Sequence, residues 1–411
     1  MGIQSFVSLF SGAGGLDLSL ERAGWSCRYS SDIDKSAVTS LLANQGRRVD
    51  VDGISAFEGA FIERADVRQL SGREILARCS ESPGSISLLA GGPPCQSWSS
   101  AGHQLGLKDP RGQLFIDFVR IANELDVRWM IFENVRGLLT ARGPDGRPGS
   151  ALELIRKRLF EAGFQTTVRL LNAADFGVPQ RRVRLFIVGY RTGDPPPFPI
   201  PTYSGKGEDC PPLLPWKTLR ECLTSVGELS DSEIIRPRGK LAADLRNIAP
   251  GSGVKSPGKK ETTRPGGHWG YKQGAFVADL DRPARTVTAS GQQDWIRDET
   301  HGLRRLCPRE CAAIQTFPLD WDWGESKSSA YKLIGNAVPP DLAKAIGTRL
   351  IEHCDEFSDP MKGLKLVDSL APLPSDLANA IEYTLREERS NGASRRQAPN
   401  RRTSKLAQQY G

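Results

Sequence analysis

Apolar positions in this chain recur at two spacings, and the two alternate. From Ser5 to Phe10 an apolar, partly β-branched run reads as a buried strand. Ser11-Gly12-Ala13-Gly14-Gly15 interrupts it, and Leu16, Leu18, Leu20 and Ala23 resume near helical spacing. The exchange then repeats: strand over Ser26 to Ser31, helix over Lys35 to Asn44, strand over Ile86 to Ala90 and helix over Leu114 to Leu125. It continues with strand over Trp129 to Phe132, helix over Leu152 to Ala162 and strand over Arg184 to Val188. Strands alternating with helices predict a parallel, doubly wound α/β sheet over about the first 190 residues.

At Thr192 the pattern dissolves. Asp194-Pro195-Pro196-Pro197-Phe198-Pro199-Ile200-Pro201, then Pro211-Pro212 and Pro215, read as an extended linker. Residues 202–300 show little helical periodicity and carry Gly, Pro, Ser and Lys clusters, which predicts a smaller, loop-rich second domain. Regular spacing returns over Leu303 to Phe317 and Asp341 to His353, and one more helix is expected near Leu377 to Glu388.

Composition narrows the picture without changing it. The 411 residues are 38% hydrophobic with 42 glycines, which excludes fibrous and wholly disordered chains. No apolar run is long enough to span a bilayer, the start has no basic leader, and Phe6 breaks a myristoylation pattern, so a soluble intracellular protein is expected. The net charge is +7, but Arg389, Arg395, Arg396, Arg401, Arg402 and Lys405 account for six of those charges, so the basic character belongs to the tail. Such a tail either adds non-specific nucleic-acid affinity or is a solvated end. The eight cysteines lack metal-ligand spacing; Cys307 and Cys311 read as packed along a helix, and no metal is expected.

Candidate chemistry clusters at strand ends. The glycine turn after Phe10 lets backbone approach a ligand at a helix N-terminus, and Asp32, ending the next strand, can accept hydrogen bonds from a ribose. Asp66 is a third strand-end acid. In Gly91-Gly92-Pro93-Pro94-Cys95-Gln96-Ser97, two prolines stiffen a loop at the carboxyl end of a strand. Cys95 there is read as a nucleophile in preference to a structural thiol, since burial is better served by strands and helices. Glu133, at an apolar strand end, is a candidate proton donor or else a cap. Arg182 and Arg184 alternate onto one face, where two guanidiniums hold an anion or carbonyl oxygen unless simply solvated.

These segments, with Arg305-Leu-Cys-Pro-Arg-Glu310, Gln315-Thr-Phe-Pro318 and Gly335-Asn-Ala-Val-Pro339, resemble the ordered motifs of the DNA (cytosine-5) methyltransferases of prokaryotic restriction-modification type. The resemblance spans residues 6 to 340. It implies a Rossmann-like catalytic domain dependent on S-adenosyl-L-methionine, over residues 1–190 plus 330–355. It also implies a target-recognition domain over 191–329, with 356–411 left as a polar, basic extension.

It implies Cys95, Glu133, Arg182 and Arg184 as catalytic, with the Cys95 thiolate adding to C6 of a flipped-out cytosine. Phe10, Gly12, Gly14, Asp32, Ile33, Asp66 and Asn336 would bind the cofactor, Ile33 standing where the family often has an aromatic residue. Gln96, Arg111, Lys259, Lys260, Arg264, Trp269, Lys272, Gln273 and Thr286 are the expected DNA contacts, the stretch Lys255 to Gly274 mixing cations, aromatics and an amide. Arg309 and Glu310 are expected to organise the domain interface. The implied partners are double-stranded DNA and a cognate restriction endonuclease, with no membrane, for a monomeric cytoplasmic enzyme. An RNA methyltransferase on the same scaffold is disfavoured by Gln96-Ser97 and by the length between Arg184 and Arg305. A catalytically silent DNA-binding regulator is disfavoured because every catalytic motif stands intact. A nicotinamide oxidoreductase would need a different glycine spacing.

Overall fold

The computed structural model describes residues 4–49, 53–94, 110–205, 212–255, 274–356 and 369–397. Its first part alternates β1 (Ser5–Leu9), α1 (Gly15–Arg22), β2 (Ser26–Asp32), α2 (Lys35–Asn44), β3 (Phe61–Arg64), α3 (Gly72–Arg78), β4 (Leu88–Gly91), α4 (Pro110–Glu124) and β5 (Trp129–Val135). Then follow α5 (Ser150–Glu161), β6 (Gln165–Asn172) and β7 (Val183–Tyr190). These strands form one sheet in the order β3-β2-β1-β4-β5-β7-β6. Successive strand residues point to opposite faces, so Phe6, Leu88 and Ile131 enter one apolar layer while Val7, Leu89 and Met130 enter the other. Burial on both sides explains why the central strands read as continuous apolar runs.

One correction concerns direction. The strand expected over Arg184 to Val188 is not parallel: β7 pairs antiparallel with both β5 and β6. A parallel strand needs a crossover, usually a helix, whereas β6 and β7 are joined by residues 173–182, whose one regular element is the single turn Ala173–Phe176. The chain therefore doubles back and inserts β7 between β5 and β6. Elements that the pattern did not predict include β6, a helix over Lys327–Asn336, and three short helices: α3 and, inside the loop-rich stretch, α6 (Leu219–Val226) and α7 (Gly239–Arg246). Two turns give periodicity little room, yet α3 and α6 open on Ser71/Glu74 and Thr218/Glu221 capping boxes readable in the sequence.

Beyond the linker lie a two-stranded pairing of β8 (Tyr203–Ser204) with β9 (Leu214–Pro215) and a four-stranded sheet. The latter comprises β10 (Ser252–Gly253), β11 (Phe276–Val277), β12 (Trp295–Asp298) and β13 (Gly302–Arg305). Leu245, Ile248, Val277 and Trp295 make its own apolar cluster, while Phe276 and Ile296 join the layer that holds Phe6 and Phe186, so the two parts pack without a break. The chain then forms α8 (Pro308–Ile314), α9 (Lys327–Asn336) and α10 (Pro340–Glu356), which packs along α1. Last comes α11 (Ser375–Gln397), whose Leu377 enters the apolar layer beside α5. Among the described residues no helix is long and apolar enough to cross a membrane.

Candidate active site

The carboxyl ends of β1, β2, β4 and β5 open onto a cleft of about 390 Å³, where open α/β sheets place ligands. Phe10, Gly12, Asp32 and Ile33 line one side, Pro93, Pro94, Glu133 and Arg184 the other, and Lys332 and Asn336 come from α9. Phe10 leaves β1 with φ of 57°, a left-handed conformation costly for a bulky residue and held here by its surroundings. Gly14 caps α1 at φ of 79°, where a Cβ would sit 2.7 Å from both Leu41 and Phe57; only glycine closes this turn. Gly12 faces open space, so the turn offers bare backbone to the cleft.

Asp32 is fixed from both sides. Its carboxylate accepts hydrogen bonds from the backbone N–H of Gly12 at 2.9 Å and of Asp34 at 2.8 Å. Burial pushes its carboxyl above the usual range, against those two bonds. Ile33 is 55% exposed beside it, an apolar platform at the cleft mouth. Backbone N–H groups at a helix start, an acid at the next strand end and an apolar platform are the donor set that a nucleoside ligand with an anionic carboxylate requires.

Across the cleft, Glu133 and Arg184 face one another on the paired strands β5 and β7, Nε to Oε1 at 3.1 Å, with side chains only 12% and 13% exposed. Burial raises the Glu133 carboxyl, opposed by the Arg184 and Arg182 guanidiniums. Gly92 packs against it: a Cβ there would stand 2.9 Å from Glu133 Oε2. Asn134 turns the other way and donates from Nδ2 to the Pro93 carbonyl at 3.1 Å, tying β5 to the Pro-Pro loop. The residue after Pro94, Cys95, lies outside the described residues. Of the described cysteines all but Cys79 are buried, and burial pushes the Cys222 and Cys307 thiols up to about 12, which leaves them poor nucleophiles.

Arg182 reaches the cleft lining, as expected, but its guanidinium is also a structural tie. It is 1% exposed, and its guanidinium donates to the carbonyls of Val287 (3.1 Å), Gly335 (2.8 Å) and Ala337 (2.8 Å). It precedes β7 and so does not share the alternation of Arg184. Two residues given no role beforehand complete this seam. Gln180 donates to Gln315 Oε1 at 2.7 Å and accepts from Val287 N at 2.8 Å, while Gln315 donates to the Ile334 carbonyl at 2.6 Å. Gln315 stands inside a quoted motif and Gln180 two residues before Arg182, and glutamine, with donors and an acceptor on one short arm, suits a junction of three chain segments. Gly335 is needed there, since a Cβ would stand 2.2 Å from the Thr288 backbone.

Asp66 also departs from expectation. Arg68 binds both its carboxylate oxygens, at 2.9 Å and 3.1 Å from Nε, and Asp66 is not among the residues lining the cleft. Thr286 is exposed and donates to the Arg181 carbonyl at 2.9 Å. Arg111 falls in the first turn of α4. Gln96, Lys259, Lys260, Arg264, Trp269, Lys272 and Gln273 lie outside the described residues. Arg309 pairs with Glu233 at 3.0 Å, and Glu310 takes a bidentate bond from Arg304 at 2.8 Å on each arm, so both bind elements together.

A family model described as C-5 cytosine-specific DNA methylase matches residues 4–352. The chain is 32% identical over 369 residues to the Type II methyltransferase M.FnuDI of Fusobacterium nucleatum, covering 84% of this chain and 94% of that protein. It is 32% identical over 384 residues to the Type II methyltransferase M.Eco47II of Escherichia coli, covering 87% and 81%. Among solved structures, a Spodoptera frugiperda DNMT2 mutant matches with a TM-score of 0.58 at 17% identity, covering 85% of this chain and 99% of that one. The S. pombe Dnmt2 methyltransferase matches with a TM-score of 0.58 at 17%, covering 86% and 99%. At these identities the structural likeness speaks to the fold alone.

Proposed function

Because the chain belongs to the C-5 cytosine-specific DNA methylases, we propose that it acts through a covalent adduct between Cys95 and C6 of a cytosine swung out of duplex DNA. It is a DNA (cytosine-5) methyltransferase of the restriction-modification type. S-adenosyl-L-methionine, held by Phe10, Gly12, Gly14, Asp32, Ile33 and Asn336, supplies an electrophilic methyl group. Asp66, engaged by Arg68, is left out of that set.

The chain's own residues do the rest. The Cys95 thiolate adds to C6 while Glu133 holds a proton at N3 and Arg184 meets the carbonyl oxygen, so that negative charge gathering on the ring is neutralised. Addition at C6 breaks aromaticity and makes C5 nucleophilic. After methylation the C5 proton leaves to solvent and Cys95 is expelled, restoring the ring. Because a stacked base hides C6, the cytosine must leave the helix at a cost of a few kcal/mol. The observation that carries this reading is the buried Glu133–Arg184 pair packed against Gly92, three residues before Cys95.

Residues 191–329 are proposed to choose the DNA sequence, residues 1–190 with 330–355 to catalyse, and the tail after 356 to add non-specific affinity. A monomer that protects cytoplasmic DNA from a cognate endonuclease fits this assignment. The test is expression in a methylation-free host with bisulfite mapping, wild type beside Cys95→Ser. Methylation at one short motif, absent in the variant, is expected. Wild-type protein that binds S-adenosyl-L-methionine yet leaves DNA unmodified would overturn the DNA reading.

A further inference from the structure

Beneath the glycine turn lies a buried acid that this mechanism does not use. Asp17, in the first turn of α1, is 0% exposed, and its carboxyl lies under the wall of the cleft. Oδ1 is 2.6 Å from Ser8 Oγ and Oδ2 is 2.7 Å from Ser30 Oγ. Ser30 Oγ is 2.9 Å from Ser11 Oγ, and Ser11 Oγ is 2.9 Å from Ser8 Oγ. These four contacts close into a ring. With the carboxyl ionised, three hydroxyl protons must serve four contacts, and one pair of oxygens meets with lone pairs only. With the carboxyl protonated, four protons serve four contacts and every oxygen is satisfied.

The ring is joined to the turn through Ser11, whose N–H donates to the Ser31 carbonyl at 3.1 Å and whose carbonyl accepts from Gly14 N at 2.9 Å. The sequences of β1 and β4 bring no charged group near it. α1 brings Glu21, whose carboxyl burial pushes up to about 8 so that it stays largely neutral near pH 6, and β2 brings the Cys27 thiol. Asp32 and Glu133 stand around the cleft with the cations Arg184 and Lys332. On α10, Asp341 is turned to Arg22 at 3.6 Å. Burial pushes the Asp17 carboxyl up to about 6, opposed by the hydrogen bonds from Ser8, Ser30 and Ser11, so the acid is held where either form is within reach.

We propose that Asp17 is a positioning residue that holds a proton in the ligand-free protein and releases it to solvent when a cationic ligand enters the cleft, so that the enzyme favours the sulfonium donor over its demethylated product. The inference rests on assigning the cleft to S-adenosyl-L-methionine. The donor carries one more positive charge than S-adenosyl-L-homocysteine. That charge, close to a low-dielectric wall, favours the ionised carboxyl. Ionisation frees Ser11 to take its bond from either neighbouring hydroxyl, adjusting the turn around the donor. Loss of the sulfonium charge on methyl transfer returns the proton and loosens the product.

The test is calorimetric titration of the full chain with S-adenosyl-L-methionine and with S-adenosyl-L-homocysteine from pH 5 to pH 8, in buffers of differing ionisation heat. The expected result is release of a fraction of a proton near pH 6 with the donor and little with the product. The ratio of product Kd to donor Kd should rise about threefold to tenfold with pH, a shift of up to one pKa unit on binding. Asp17→Asn should flatten that ratio. Asp32 meets a ribose common to both ligands and cancels from it. Ser30→Ala keeps the carboxyl but removes a donor to its ionised form, and should move the midpoint to higher pH. Equal proton release with both ligands, or an unchanged profile in Asp17→Asn, overturns the inference. Failure of both ligands to bind overturns instead the assignment of the cleft on which it rests.

Discussion

Two clusters of buried polar side chains lie close together in this molecule and are employed in opposite ways. In the seam, Arg182 donates to the carbonyls of Val287, Gly335 and Ala337 and Gln315 to that of Ile334, while Gln180 accepts from Val287 N and donates to Gln315, all at 3.1 Å or closer. In the cleft, Glu133, Arg184 and Asp32 face a space with room for a ligand. A polar group tied to buried backbone fixes architecture, because removing it strands its partners. A group with spare capacity beside a cavity can change partners, and that is what chemistry requires. Two arginines separated by one residue divide in this way: Arg182 gives both terminal nitrogens to backbone carbonyls, while Arg184 meets Glu133 in the cleft.

The largest way to break the comparison is Glu133→Gln. It should lower kcat/KM about a thousandfold in a methyl-transfer assay, with the melting temperature and donor affinity nearly unchanged. Burial lets Glu133 keep its proton to higher pH than a free carboxyl does. Activity supplied by its acid form is therefore present at low pH and lost as pH rises through that raised value, and the variant should lack this limb. Next comes Arg182→Met, which strands three buried carbonyls and should cost about 3 kcal/mol in denaturant unfolding, with activity falling only as folded protein is lost.

Asp32→Asn should sharpen the picture of the cleft. Donor affinity should fall roughly tenfold by calorimetry, since a charge-assisted pair of bonds to Gly12 and Asp34 weakens together with the expected ribose contact. The smallest effect is expected from Lys332→Ala. Its ion pair with Asp34, at 2.5 Å, is solvent-screened, and the melting temperature should move by no more than about 2 °C.

The large sheet was legible because its central strands are buried on both faces and its helices run long enough to show a period; Lys35 to Asn44 was predicted with the bounds that α2 has. The direction of β7 was not, since apolar alternation carries no sense of direction and only the missing crossover betrays it. Strand ends with Gly, Asp, Glu and Pro-Pro-Cys announced the cleft. The three carbonyls that Arg182 ties were not legible, because a guanidinium at a strand end looks the same in sequence whether it meets water or backbone. The Asp17 ring was invisible: its three serines lie on β1, the turn and β2, and only folding shows that they converge on one acid.

Gly15 packs so tightly on the Val338 carbonyl that a Cβ would come within 2.3 Å of it, and α10 lies along α1. The first turn of the chain is thus braced by residues made more than three hundred positions later. On the ribosome, the leading half emerges with its apolar flank uncovered and its cleft missing the wall that Lys332 and Asn336 supply. A translation product halted between Glu133 and that closing segment carries Pro-Pro-Cys and Glu133 without the braced turn. Until that segment is made, the glycine turn has no brace and the cleft lacks part of its lining.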